Sequence, residues 1–220
     1  NTFLDKRYLQ STIETTPEGM FTERNIYGNW VSGQGMVYSG FDADKHYVDS
    51  LDGVEFTRYI AGVDWGYGHY GAIVVFGITK DEKYYMIEEV AEEGQEIDFW
   101  AGEAKLLNEK YKRIIFYCDS ARPEHVNRFR REGIKAVNGR KEVIEGIEQV
   151  ATMYKSDELF IYKPIANRFR KEIYSYIWSE RAGDDAVVKE NDDVMDAMRY
   201  AIYSDKRKNK IQSISKDLLF

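Results

Sequence analysis

Hydrophobic and polar positions change rhythm as the chain proceeds. Residues 59–65, 70–78 and 83–90 read YIAGVDW, YGAIVVFGI and KYYMIEEV, runs of strong β formers that predict three strands. The stretches between them, 66–69 and 79–82, are short. Short turns join antiparallel neighbours, so the three strands form a meander. From residue 97 the period lengthens: Ile97, Trp100, Ala101, Ala104, Leu107 and Tyr111 recur at helical spacing, predicting a helix over 97–111. Residues 113–118 are a short apolar run that follows a helix. That predicts a strand parallel to an earlier one and buried on both faces. Further helices are predicted over 123–131, with Pro123 in the first turn and Gly133 as the stop, and over 143–154, with Val143, Ile147, Val150 and Ala151 on one face. Others are predicted over 165–177, behind Pro164, and over 192–203, with short strands at 134–137 and 159–162. Three strands followed by alternating helices and strands predict an α/β arrangement with a mixed sheet.

The first 53 residues lack sustained periodicity. Short helices are expected over 4–16 and 18–27, the second stopped by Gly28, and glycines at 28, 33, 35 and 40 then predict looping chain. Residues 1–53 read as a linker and arm packed on a domain of residues 54–220, and the opening NTFLDKRYLQ reads as the middle of a longer polypeptide. Residues 178–190, WSERAGDDAVVKE, predict a hairpin or mobile loop. The charged tail beyond 203 is expected to fray.

Composition narrows the function. Hydrophobic residues make up 43% of the 220, enough for a sizeable core. A net charge of −7 argues against a stand-alone nucleic-acid binder, whose footprint is basic. It leaves room for a domain that takes up metal cations and is presented to DNA by a partner. The single cysteine, Cys118, rules out a disulfide within the chain and suits a reducing compartment. No 18-residue apolar run or leading signal peptide is visible, so no membrane is expected.

Asp64 is the first candidate for chemistry. An ionised, unpaired aspartate in an apolar strand costs several kcal/mol, so it must bond to backbone, pair with an arginine or bind a metal. Asp119 stands at the carboxyl end of its own strand, where open α/β sheets bind ligands. If the two strands are parallel neighbours, about 4.8 Å apart, the carboxylates converge, and both stay ionised only with a cation between them. In NDDVMDAMRYA, residues 191–201, Asp192, Asp193 and Asp196 fall within an arc of roughly 100° on the predicted helix. Asn191 suits an N-cap, and Asp192 and Asp193 suit the positive end of the helix dipole. Asp196 lies a turn further in, where the alternative to a ligand is a solvated polar face. Oxygen donors alone suit Mg²⁺ or Mn²⁺, whereas zinc would want His or Cys. His69 and His125 lack a ligating spacing, and Cys118 alternates away from Asp119. Arg140 and Lys141 precede a helix and can hold a DNA phosphate with its amides. Arg128, Arg130 and Arg131 are either a second basic cluster or a solvated helix face. Residues 206–210 form a basic tail that could touch a DNA backbone.

GVDWG at 62–66, FYCDSA at 116–121 and NDDVMDAMRYA at 191–201, in that order, resemble the C-terminal nuclease domain of the tailed-phage terminase large subunits, of the SPP1-like Bacillus phage type. NGRKEVIEGIEQV at 138–150 is similar to that family's basic-then-helix segment. LDKRYL at 4–9 and GNWV and GMVY within 28–38 resemble the link from its ATPase domain. The likeness spans nearly the whole chain. It implies an RNase H-like fold and an endonuclease that cuts concatemeric double-stranded DNA at the start and end of packaging, with little sequence preference by itself. It implies two divalent ions, Mg²⁺ or Mn²⁺, one activating water and one stabilising the leaving 3′ oxygen. Asp64, Asp119 and Asp196 are then the catalytic metal ligands. Asp193 assists at a position where the family commonly has His or Asp, and Asp192 stays in play because other members use adjacent aspartates. Implied partners are double-stranded DNA, the ATPase domain of the same polypeptide, the terminase small subunit and the portal protein. The implied place is the host cytoplasm, not the mature virion, and residues 178–190 would gate DNA access. GVDWGYGHYGAIVVF also resembles the first phosphate loop of actin-like and sugar-kinase ATPases, although the second DxG loop and a glycine-rich adenosine motif are missing. A non-catalytic DNA-docking module of the same fold is a third reading of the residues. A fourth is a different RNase H-like nuclease, such as a junction resolvase or transposase core.

Overall fold

A computed structural model describes residues 5–29, 33–179 and 186–217. The chain opens with α1 (Lys6–Thr15), α2 (Met20–Asn25), α3 (Ala43–His46) and β1 (Tyr47–Val48). The meander follows as β2 (Phe56–Asp64), β3 (Tyr70–Thr79) and β4 (Tyr84–Glu93). Then come α4 (Ile97–Lys110), β5 (Ile115–Cys118), α5 (Pro123–Arg131), β6 (Ala136–Asn138), α6 (Val143–Lys155) and β7 (Leu159–Tyr162). A 3-10 turn (Lys163–Ile165), α7 (Phe169–Ser175) and α8 (Asp193–Asp217) complete it.

These strands form one sheet in the order β1-β7-β4-β3-β2-β5-β6. The meander is antiparallel, and the strands added on either side are parallel to their neighbours. This is the mixed sheet expected from the order of elements. Its two faces bury different side chains of the same strands. Ala72, Val74, Phe76 and Ile78 of β3 pack with α6 and α8, while Ile73 and Val75 pack with α4 and α5. Helices on both faces explain why β3 is an almost unbroken apolar run.

Several elements differ from the sequence reading. The helix expected over 165–177 begins only at Phe169, because the carboxylate of Glu89 on β4 accepts the amides of Arg168 and Phe169 at 2.7 and 2.8 Å and caps α7 there. The final helix runs on to Asp217 instead of fraying after residue 203; no Gly or Pro interrupts it. Tyr47 and Val48, expected to be looping chain, pair with Ile161 and Tyr162 as an edge strand. At the segment 178–190, Trp178 bridges Val187, and Ser179 donates its amide to the Ala186 carbonyl at 2.8 Å. These are the two stems of the expected hairpin; residues 180–185 lie outside the described residues. Among the described residues no helix is long and apolar enough to cross a membrane.

Candidate active site

The register of β2 against β5 positions the first two acids. Val63 lies opposite Cys118, and the Asp119 amide donates to the Val63 carbonyl at 2.8 Å. Asp64 and Asp119 therefore leave adjacent strands side by side at their carboxyl ends. The Trp65 indole donates to the Asp119 carbonyl at 2.8 Å, and Asp119 Oδ1 accepts the Ala121 amide at 3.1 Å, so the turn after β5 is held from both sides. Cys118 points the other way, into the core beneath α4 and α5.

The third contribution comes from α8, which lies directly on β2. A Cβ on Gly62 would stand 1.8 Å from the Ala197 carbonyl oxygen. Only glycine permits that approach, and it carries the start of α8 over the strand ends. The result is an open cleft of about 720 Å³ lined by Asp64, Asp119, Asp192, Asp193 and Asp196, with His69, Arg122 and Lys189 among the other walls. Asp196 is 7% exposed, so a solvated polar face does not describe it.

The electrostatics of the cleft are those of crowded carboxylates. Burial pushes the Asp64 carboxyl well above its usual value, and Asp196, Asp119, Asp193 and Asp192 push it further. Among the described residues, no arginine acts on it to pull it down. Two lysines partly offset the crowding: Lys141 Nζ is 2.9 Å from Asp119 Oδ1, and Lys189 Nζ is 3.0 Å from Asp196 Oδ2 and 3.1 Å from Asp192 Oδ2. The buried Arg199 holds the other oxygen of Asp196 at 2.9 Å. Asp193 Oδ1 lies 2.7 Å from His69 Nδ1, and Asp193 Oδ2 lies 3.8 Å from Arg168. Since the Tyr70 carbonyl also lies 2.7 Å from His69 Nδ1, that nitrogen carries the proton.

The expected basic residues divide. Lys141 reaches the cleft. Arg140 pairs with Glu142 at 3.2 Å and ties its amide to Ser204 on α8. Arg128 is held by Asp98 and Glu132, and Arg130 by the Ala136 carbonyl and Asn127; the solvated-face reading fits these two better. Lys206 pairs with Glu158.

Several contributors escaped the sequence reading. Glu172 on α7 accepts the amides of Val194 and Met195 at 2.8 and 3.3 Å and seats the first turn of α8. Nothing local marks it, because the helix it caps starts about twenty residues later. Arg199 could have been found, being one helical turn from Asp196; Lys189 lies before α8, where helical spacing does not apply. Arg122 follows FYCDSA immediately, but its role depends on a turn that sequence does not specify.

The donor set fits a hard divalent cation: the groups are carboxylates, and their mutual repulsion is what such an ion relieves. Among the described residues, no three of them already stand around a single point at ligating spacing. Lys141 and Lys189 instead sit on Asp119 and Asp196.

An α/β domain with carboxylates gathered at the ends of adjacent parallel strands and at the start of its last helix defines the class. Residues 61–205 match the family described as "Terminase RNaseH-like domain", and the chain belongs to that family. Among solved structures it is similar to the large terminase of a thermophilic bacteriophage, with 25% identity and a TM-score of 0.83 over 91% of this chain and 51% of that one. It therefore spans about half the length of that protein. It is also similar to the P22 large terminase nuclease domain, with 17% identity and a TM-score of 0.67 over 80% of this chain and 94% of that one. A third similarity is to the large terminase nuclease domain of bacteriophage SPP1 with bound Mn, at 19% identity and a TM-score of 0.57 over 73% and 97% of the two chains. No curated protein sequence matches.

Proposed function

We propose that the chain is a metal-dependent endonuclease that hydrolyses phosphodiester bonds in concatemeric double-stranded DNA during packaging of a phage genome. Two Mg²⁺ or Mn²⁺ ions would be held by Asp64, Asp119 and Asp196, with Asp193 assisting. The observation that carries this reading is the gathering of five aspartate carboxylates around one cleft, with Asp64 half-buried at a strand end and the other four acting on it. The bound Mn in the SPP1 nuclease domain supports the choice of ion. When bound, the ions supply an activated water and neutralise the leaving oxygen.

The chain's own residues do the rest. Asp64 and Asp119 are fixed by the β2–β5 register, and Asp196 by Arg199 and the seating of α8. Lys141 and Lys189 give up Asp119 and Asp196 to the ions and then face the phosphate. Lys141, 47% exposed at its side chain, is free to turn. Arg140 adds a backbone contact at the rim. The proposed partners are double-stranded DNA, an ATPase domain on the same polypeptide, the terminase small subunit and the portal protein, acting in the host cytoplasm.

The test is nicking of supercoiled plasmid in Mn²⁺, with Mn²⁺ binding followed by calorimetry. Asp64→Ala is expected to abolish nicking and to weaken Mn²⁺ binding. Nicking that persists in this variant overturns the assignment.

A further inference from the structure

The acidic cleft has a neighbour. A hollow of about 350 Å³ lies between the β2–β3 turn, the loop before α4 and the start of α5, lined by Trp65, Tyr67, Gln95, Trp100, Arg122 and His125 among others. The Gly94 amide donates to the Tyr67 carbonyl at 3.1 Å and ties the first two of these segments together. Trp65 and Arg122 line both the hollow and the cleft, so a strand lying in one reaches the other.

The walls are aromatic. Trp65 meets His125 edge-on, with ring centroids 5.1 Å apart. Tyr67 is 60% exposed, a large ring that the core does not use. Two buried polar atoms here have no partner among the described residues: the indole nitrogen of Trp100, a residue 1% exposed, and Nδ1 of His125. A buried N–H without an acceptor bears the full cost of leaving water, and such a group in a folded protein calls for an explanation. Burial also lowers the His125 pKa, favouring the neutral ring, which offers one donor and one acceptor. The third feature is Arg122. Lys141, Lys189, Arg128 and Arg140 are each committed to a carboxylate, whereas no hydrogen bond or ion pair holds the Arg122 guanidinium among the described residues.

Aromatic walls and an uncommitted guanidinium at the shared rim suit a nucleobase next to its phosphate. Proteins bind single strands by stacking bases on aromatic side chains beside a positive group. The volume is at the lower end of ligand pockets, about 300–1,000 Å³. Glu96 on the same wall disfavours a second phosphate within.

We propose that this hollow is a nucleobase subsite that takes one unstacked base of the strand lying in the acidic cleft, with Tyr67 against the base and Arg122 on the adjoining phosphate. It rests on the nuclease reading and deepens it. The domain then favours DNA with an unpaired base beside the cut, because a base drawn from an intact duplex must first be unstacked.

The test uses the whole chain in EDTA, so that no cleavage occurs, and follows fluorescence anisotropy. Three labelled probes are compared: a short oligothymidylate, a strand of the same length and charge with abasic spacers, and a duplex. Oligothymidylate is expected to bind at least about fivefold more tightly than the abasic strand, the low end of the effect of one stacking ring. Tyr67→Ala, an exposed change that leaves the core intact, should erase that margin. Arg122→Ala should weaken both single strands by a similar factor. Equal binding of the two strands by the parent, or a margin that survives Tyr67→Ala, overturns the subsite. Where Mn²⁺-dependent nicking is intact, that failure touches the subsite alone; a chain that binds none of the three probes and does not nick loses both readings.

Discussion

Glu172 is fully buried and does two jobs at once. One oxygen accepts the first amides of α8, and the other accepts Arg168 Nε at 2.6 Å. Burial pushes its carboxyl from 4.5 up to about 7, against the pull of the Arg168 hydrogen bond, and Asp193 pushes in the same direction as burial. The sign of the consequence follows from proton counts. Between pH 4.5 and about 7 the folded chain holds this proton and the unfolded chain has lost it, so stability falls as pH rises through that window. At 1.36 kcal/mol per pH unit, the full effect is roughly 3 kcal/mol. Glu172→Gln abolishes this titration: its amide oxygen can still accept the α8 amides, while its NH₂ faces Arg168. Its melting temperature relative to the parent should rise between pH 5 and pH 8, by about 6–12 °C at the conversion for a chain of this size. A relative melting temperature that stays flat or falls would contradict the account. The contrast with Asp64 shows what a sequence reveals about single residues. An acid inside an apolar strand is anomalous within its own window, whereas Glu172 lies on a short helix where a Glu is unremarkable, and its partner amides belong to another element.

At the scale of elements, one contact governs the site: the seating of α8 on β2. Gly62 is required by the approach of the Ala197 carbonyl, backbone against backbone, which no side-chain rotamer can relieve. Gly62→Ala must lift α8 from the strand, at a cost of about 3 kcal/mol, and should also move Asp196 away from Asp64. Gly102 is the control. It lies exposed within α4, and a Cβ there would meet nothing within 4 Å. Gly102→Ala should raise stability by up to about 1 kcal/mol through helix propensity. Thermal denaturation of the two variants should therefore show shifts of opposite sign, and a stability loss in both would contradict this use of local space. GVDWG was legible as strand and turn, but its first glycine gave no hint that a helix lay against it. The same distinction explains the misplaced start of α7. Pro164 was visible as a helix start, yet the cap comes from Glu89 on β4, a partner far away in sequence. Strong local periodicity located α4, α5 and α6 to within a residue or so, because burial of one face is recorded every turn.

At the scale of the molecule, the N-terminal residues belong to the fold. The sequence reading takes residues 1–53 as a linker and arm packed on a domain of residues 54–220; β1 is not visible in it because two residues of strand carry no period and their partner lies at the other end of the chain. Yet β1 covers the edge of β7. Tyr38 packs against Tyr154 and Tyr176 with ring centroids 5.8 and 5.5 Å apart, and Phe41 meets Phe169 at 5.7 Å. His46 is locked among them. Its Nδ1 accepts the Asp42 amide at 2.8 Å, so Nε2 carries the proton and donates to the Tyr154 carbonyl at 3.0 Å. A chain of residues 54–220 loses all of this. It leaves β7, LFIY, as an unpaired apolar edge, the feature that natural sheets cover to avoid pairing with other chains. A chain of residues 34–220 keeps β1 and the aromatic cluster and loses only α1 and α2. Of these, Met20 and Phe21 are buried, Phe21 edge-on to Trp178 at 6.4 Å. At about 1.5–3 kcal/mol for each buried side chain, that loss lowers the melting temperature without opening the sheet. Size-exclusion chromatography should therefore show residues 34–220 as a less stable monomer and residues 54–220 as aggregate. A monomeric 54–220 chain that melts with the parent would mean that the arm is a passenger and that the sheet closes without its seventh strand.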